Sequence, residues 1–230
     1  MNELLWFFLL VLNFVAIMIA FRLYGKVGLY IWIPISTIIA NIQVTKTVNL
    51  FGLEATLGNI VYATGFLATD ILSECFGKKD SRRAIGMGFL SLICLTTFMQ
   101  VALKFNPAES DFANDSLITI FSLLPRLTVA SLIAYFCSNM HDVWAFEYWK
   151  QKFPGTKYLW LRNNASTIVS QLIDSVLFSF IAFYGVFSMP VLLEITISTY
   201  VLKFVVAACD TPFIYLARKW FDEGKIKTTV

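Results

Sequence analysis

The sequence predicts an all-α membrane protein, a polytopic bundle of transmembrane helices. Three observations carry that prediction. Of 230 residues, 58% are hydrophobic and only 14% are charged, with a mean hydropathy of +0.71; soluble domains run at about 45–50% apolar and about 25% charged. The apolar residues gather into seven runs, 4–21, 27–45, 57–77, 84–103, 121–141, 165–187 and 190–217, and about 20 such residues cross the hydrocarbon core as a helix. The Lys and Arg residues between the runs alternate from rich to poor.

The first run, LLWFFLLVLNFVAIMIAF, follows Glu3, and no basic residue precedes Arg22. A secretory signal has a basic leader and a small-residue cleavage site, so the run is read as a retained span. The second carries Thr37, Asn41 and Thr45 as a polar stripe beyond Pro34. The third, 57–77, contains Asp70 and Glu74. The last, 190–217, is long and interrupted by Pro212. Between 142 and 164 the chain is rich in aromatic and basic residues and reads as a short interfacial helix. Pro154-Gly155 then turns it, and Asn163 or Asn164 is a natural N-cap for the next span.

Orientation follows from the basic residues. Segments 22–26, 78–83, 142–164 and 218–230 hold 14 of them, against Lys46 and Lys104 alone in the intervening segments. That puts the C-terminus in the cytoplasm and the N-terminus outside. Loop 104–120, with Glu109, Asp111 and Asp115, suits an outer face.

Seven ionisable residues fall at membrane depth: Asp70, Glu74, Arg126, Asp174, Glu194, Lys203 and Asp210. Each costs about 2.5–3.5 kcal/mol near the centre of a span on insertion scales, so they should face the bundle interior and pair there. Asp70 and Glu74 are four apart. Thr167, Gln171 and Asp174 share one helix face, and Thr199, Lys203 and Asp210 share another. Competing readings exist for several. Arg126 lies near the outer end of its span, where it can snorkel to the headgroups, and Glu194 sits at a wet outer end. Glu74 suits an interfacial carboxylate. Asp210 can pair with Lys203, and Asn41 can serve as interhelical glue. Asp70 and Asp174 lie well inside their spans and are read as substrate ligands.

Other chemistries fit poorly. Cys75, Cys94, Cys137 and Cys209 form no CxxC pair and read as buried thiols. A lone His141 rules against a metal site, and no phosphate-binding loop is present. No enzyme activity, cofactor, metal or nucleic-acid partner is expected.

At these residues a resemblance emerges. FLATDILSECFG (66–77) with SRRAI (81–85), IIANIQVTKTV (38–48), PRLTVASLIAYFCSNMHDVWAFEYWK (125–150), LRNNASTIVSQLIDSVLFSFIAF (161–183) and STYVLKFVVAACDTPFIYLARK (198–219) together resemble the queuosine-precursor transporter family, also called vitamin-uptake-transporter-like. The resemblance implies import of 7-deazaguanine bases (preQ0, preQ1 or queuine) across the bacterial inner membrane for tRNA modification. It implies a fold similar to the S-components of energy-coupling-factor importers, with six core helices and 4–21 as an addition. Gln171 stands where some members carry Asn. A deazaguanine presents two adjacent donors, which a carboxylate accepts in parallel, an acceptor O6 that suits an amide or cation, and a flat ring for stacking. The expected substrate set is therefore Asn41, Tyr62, Phe66, Thr69, Asp70, Glu74, Arg126, Tyr135, Thr167, Gln171, Asp174, Lys203 and Asp210. Asp70 or Asp174 holds the guanine-like edge, and Lys203 neutralises the carboxylates when the site is empty. A homo-oligomer, an ATPase coupling module serving an S-component for another vitamin, and a non-transporting membrane scaffold stay open as alternatives.

Overall fold

A computed structural model describes residues 1–226, apart from the side chains of Thr156, Leu159 and Asn163. It is helical nearly throughout: α1 (Asn2–Gln43), α2 (Asn59–Cys75), α3 (Lys78–Ala102), α4 (Asn114–Phe121), α5 (Leu124–Lys152), α6 (Leu159–Phe183) and α7 (Met189–Asp222). Among the described residues, five helical stretches are long and apolar enough to cross a membrane, one of them α4 run together with α5. At 17 residues, α2 is shorter than these but is enclosed by α1, α3 and α7.

The first two apolar runs form the two arms of α1. Its continuity breaks at Gly25, with φ 57° and ψ −133°. That conformation is open to glycine and strained for any residue with a Cβ. The arms fold back on each other. A Cβ on Gly28 would stand 2.2 Å from the Ala20 carbonyl oxygen, although eight residues span about 12 Å along a straight helix. The Asn2 amide accordingly reaches the Asn49 carbonyl, 3.1 Å away and just past the end of the second arm. The first arm buries Trp6, Leu10, Phe14, Ile17 and Phe21, one stripe at helical spacing. It packs on α7 through Phe14 and Phe213, stacked at 4.5 Å, and on α2 through Asn13 and Thr64 at 3.5 Å.

Segment 46–56, between the second and third apolar runs, contains a β-hairpin. Strands β1 (Thr47–Leu50) and β2 (Leu53–Thr56) pair antiparallel. They turn through Phe51 and Gly52, both at positive φ, the geometry that matches strand twist in a two-residue turn. The Ser198 hydroxyl donates to the Glu54 carbonyl at 2.8 Å and ties the hairpin to α7.

Several sequence expectations are corrected. Helix α5 runs unbroken to Lys152, so 142–152 continues that helix and forms no separate interfacial one. Helix α6 starts at Leu159, so Asn164 lies inside it and donates to the Trp160 carbonyl; the side chain of Asn163 lies outside the described residues. Segment 104–120 contains α4, and Lys78 to Arg83 form the first turns of α3. The four cysteines are free thiols, but none is fully buried as expected: Cys75 and Cys94 are half-buried, and Cys137 and Cys209 are exposed on helix faces. Arg162, counted among the loop cations, is 2% exposed.

The basic segments converge at one end of the bundle. There Lys26 lies 3.5 Å from Asp80, Lys78 pairs with Glu147, and Arg22 reaches the Lys225 carbonyl. The opposite end holds Asn2, the hairpin and the start of α7.

The hairpin in α1 yields a prediction. Gly28→Leu should lower the thermal midpoint of the detergent-purified protein and its folded yield. Gly86→Leu, where nothing lies within 4 Å of the added Cβ, should leave both near parental. Strained or overpacked sites typically cost about 1–3 kcal/mol.

Candidate functional site

Helical periodicity brings a column of polar side chains into the bundle interior. At its centre stands Asp174 on α6, 1% exposed. Lys203 on α7 contacts one carboxylate oxygen. The Tyr62 hydroxyl on α2 donates to the other at 2.8 Å, and Ser138 on α5 approaches the same oxygen at 3.4 Å. Four helices thus meet at one carboxylate. The Lys203 ammonium also lies 4.6 Å from the centre of the Tyr62 ring, a cation–π arrangement of the kind that strengthens when desolvated.

Toward the hairpin end, Asn41 accepts from Ser131 at 2.9 Å and donates to the Thr37 carbonyl at 2.9 Å. Asn59 donates to Thr199 at 3.1 Å. Asn41, Asn59, Tyr62, Ser131, Asp174 and Lys203 line one small cavity, closed by Ala40, Val44, Gly58 and Phe178. The free space inside is about 20 Å³, room for roughly one water. Beside it Tyr62, Phe66 and Tyr135 form an aromatic wall, with ring centres 5.7–6.0 Å apart, and Phe89 lies edge-on to Tyr135 at 5.0 Å.

Toward the basic end, Asp70 sits among the carboxylates of Asp142, Asp210 and Glu74, and Asp142 faces the hydroxyls of Ser166, Thr167 and Ser170. Glu74 is bracketed by Arg218 at 3.4 Å and Arg162 at 3.9 Å. Arg162 also donates to the carbonyls of Phe153 and Pro154, each at 3.2 Å, so it closes the turn between α5 and α6.

The predicted residues therefore separate by position. Asn41, Tyr62, Asp174 and Lys203 share the cavity; Phe66 and Tyr135 lie beside it, packed against the Tyr62 ring. Asp70, Asp210 and Thr167 belong to the layer nearer the basic end. Gln171 is 1% exposed, and its carbonyl oxygen has no hydrogen-bond partner among the described residues, but it does not line the cavity. Thr69 donates back to the Phe66 carbonyl. Glu74 is held at the basic end. Arg126 lies at the far end, donating to the Ile181 and Tyr184 carbonyls at 2.8 and 2.5 Å, where it caps α6. Thr45 is exposed beyond α1, so the stripe of the second span ends at Asn41. Lys203 pairs with Asp174, and the alternative of Asp210 as its partner is not realised in this arrangement.

Sequence reasoning missed Asn59, Ser131, Ser138 and Asp142. A signal was available: Ser131, Tyr135, Ser138 and Asp142 recur at intervals of four, three and four, one face of α5. Serine is common in membrane helices, so that stripe stands out only beside the acids it faces.

Fold and site together define an integral membrane protein of the transporter type, a helical bundle enclosing charged and amide groups at the depth where lipid excludes them. The chain belongs to the vitamin uptake transporter family, since residues 56–217 match the family described as "Putative vitamin uptake transporter". It is 44% identical over 218 residues, 95% of each chain, to a protein of Bacillus subtilis (strain 168) named "Probable queuosine precursor transporter". It is 28% identical over 145 residues to the "Queuosine precursor transporter" of Escherichia coli (strain K12), covering 63% of this chain and 62% of that one. A Haemophilus influenzae protein named "Probable queuosine precursor transporter" is 28% identical over 137 residues, 59% of this chain and 55% of its own. No solved structure matches the chain significantly.

The buried pair yields a prediction on stability. Lys203→Met leaves the Asp174 charge buried without its cation, a change that costs about 3–5 kcal/mol in comparable sites. Lys203→Met combined with Asp174→Asn should recover most of that loss, measured by thermal unfolding in detergent.

Proposed function

We propose that this chain imports queuosine precursors, 7-deazaguanine bases such as preQ0, preQ1 or queuine, that Asp174 holds their guanine-like edge, and that they feed tRNA modification. The observation that carries this reading is the Asp174 carboxylate. Its two oxygens are already satisfied by donors, Lys203 on one and Tyr62 on the other. The ring N–H and exocyclic amine of a deazaguanine are two parallel donors that can take those places. Lys203, released, can reach the O6 acceptor, and Asn41 or Asn59 can complete the edge. Binding then exchanges one set of charge-assisted hydrogen bonds for another, which keeps the buried carboxylate satisfied in both states. The cavity is too small for a base with Lys203 and Tyr62 in place, so both must move as cargo enters. The names of the relatives support the same cargo.

The chain is further proposed to sit in the bacterial inner membrane, with the arms of α1 as two crossings and the basic end in the cytoplasm. The gathering of Lys and Arg there supports that orientation. Nothing in the chain suggests a nucleotide site, so energy comes from a partner, a gradient, or trapping of the product.

The test uses a bacterium unable to make or import queuosine precursors. Parent should restore queuosine in tRNA when a deazaguanine is supplied. Asp174→Asn should weaken binding and uptake by roughly 10- to 100-fold, the worth of about 1.5–3 kcal/mol for hydrogen bonds to a charged group. Near-parental uptake by a normally expressed Asp174→Asn would sink the assignment. For orientation, alkaline phosphatase fused after Asp111 should be active, and fused after Lys225 inactive.

A further inference from the structure

The cavity at Asp174 does not stand alone. A second small cavity adjoins it, sharing Asn41, Tyr62 and Ser131, and is walled on its far side by Ile85, Phe89 and Tyr135. Ile85 and Phe89 also line a third and much larger space, a crevice of about 630 Å³ between α3 and α5. Drug-sized ligand sites fall in the range of about 300–1,000 Å³. The crevice is therefore the place along this line where a flat base already has room. Its walls include Phe136, Trp144 and Tyr148, and polar groups stand at hand in Asn139 and Gln151.

The seam between α3 and α5 is the one that fits a moving wall. Near the hairpin end α3 is pinned to the neighbouring segments by Thr96 on Thr128 at 2.5 Å and by Gln100 on the Phe121 carbonyl at 2.7 Å. At the basic end α3 is held to α1 by Tyr30 and Lys26 on Asp80, while its tie to α5 is Lys78 on Glu147, both of these side chains more than a third exposed. An exposed pair of this kind contributes little and opens readily. Between these ties the Phe89–Tyr135 edge contact separates the crevice from the inner cavities.

We propose that the crevice between α3 and α5 is a second cargo site, a release vestibule that receives the heteroaromatic base from the Asp174 cavity once Phe89 and Tyr135 part. This rests on the proposed import of deazaguanines, because it concerns where the same cargo goes next. The aromatic walls stack the ring, and Asn139 and Gln151 offer amide contacts to its polar edge. Lys78 and Glu147 close the mouth at the basic end.

Gly86 gives a clean test. It lines the crevice, and nothing lies within 4 Å of a Cβ placed on it. Gly86→Leu should keep deazaguanine affinity within about twofold of parent while uptake into cells falls at least about tenfold. Gly86→Cys, folded first and then coupled to a bulky methanethiosulfonate, should lose uptake to the same extent. Equally treated parent, which carries the four native cysteines, is the control. Parental uptake by the coupled Gly86→Cys protein overturns the vestibule. A parent that binds no deazaguanine overturns the cargo assignment instead. The route is then read without cargo: Gly86→Cys should react with a water-soluble thiol reagent applied from the basic end, and failure to react overturns it. Asp174→Asn, which should lose affinity, separates a defect in the inner cavity from one in the crevice.

Discussion

The contact between Lys203 and Asp174 constrains this bundle more than any other. Two opposite charges buried at mid-bundle carry a desolvation cost that their attraction repays only if geometry and auxiliary hydrogen bonds are good. The auxiliary bonds come from Tyr62 and Ser138, so α2, α5, α6 and α7 must all arrive in register. That requirement bears on features far from the pair. Helix α7 continues through Pro212, keeping Lys203 and Asp210 on one buried face. Arg126 caps α6 at one end, and Arg162 closes the α5–α6 turn at the other. The two arginines hold α6 by its ends, and Asp174 sits between them.

Charge is graded along the bundle. At the hairpin end the interior contacts are amide and hydroxyl pairs, Asn41 with Ser131 and Asn59 with Thr199. One ion pair follows, then the carboxylates of Asp70, Asp142 and Asp210, then Glu74 between two arginines. Groups that are costly to desolvate grow denser toward the end where the basic segments meet.

Much of this was legible in the residues. Hydropathy located the apolar runs, and counting Lys and Arg grouped the segments that meet at one end. Helical spacing put Gln171 with Asp174, and Thr199 with Lys203, on shared faces that are all buried. The residues reasoning could not place are those whose role depends on a partner helix. Arg126 reads as an end-of-span cation and Arg162 as a loop cation, because only the folded chain shows the carbonyls they satisfy. Ser131 and Ser138 carry no charge and draw attention only through Asn41 and Asp174 opposite them.

By itself the sequence determined the class, the burial of Asp70, Asp174, Lys203 and Asp210 and the helix faces that carry them, because lipid penalises each unpaired charge locally and a helix repeats every 3.6 residues; Glu194, read as sitting at a wet outer end, is exposed. Tertiary structure alone decided which charge meets which. Asp70, Asp174 and Asp210 are equivalent candidates for Lys203 on paper. The depth at which α6 and α7 cross α2 awards it to Asp174 and leaves the other two in a separate layer. The same holds for the fold of α1: its two arms are apolar runs in the sequence, but their antiparallel packing rests on Gly25 and on a close approach at Gly28 that no periodicity reports. Pairing between helices is a long-range property, and local residue physics constrains it without choosing it.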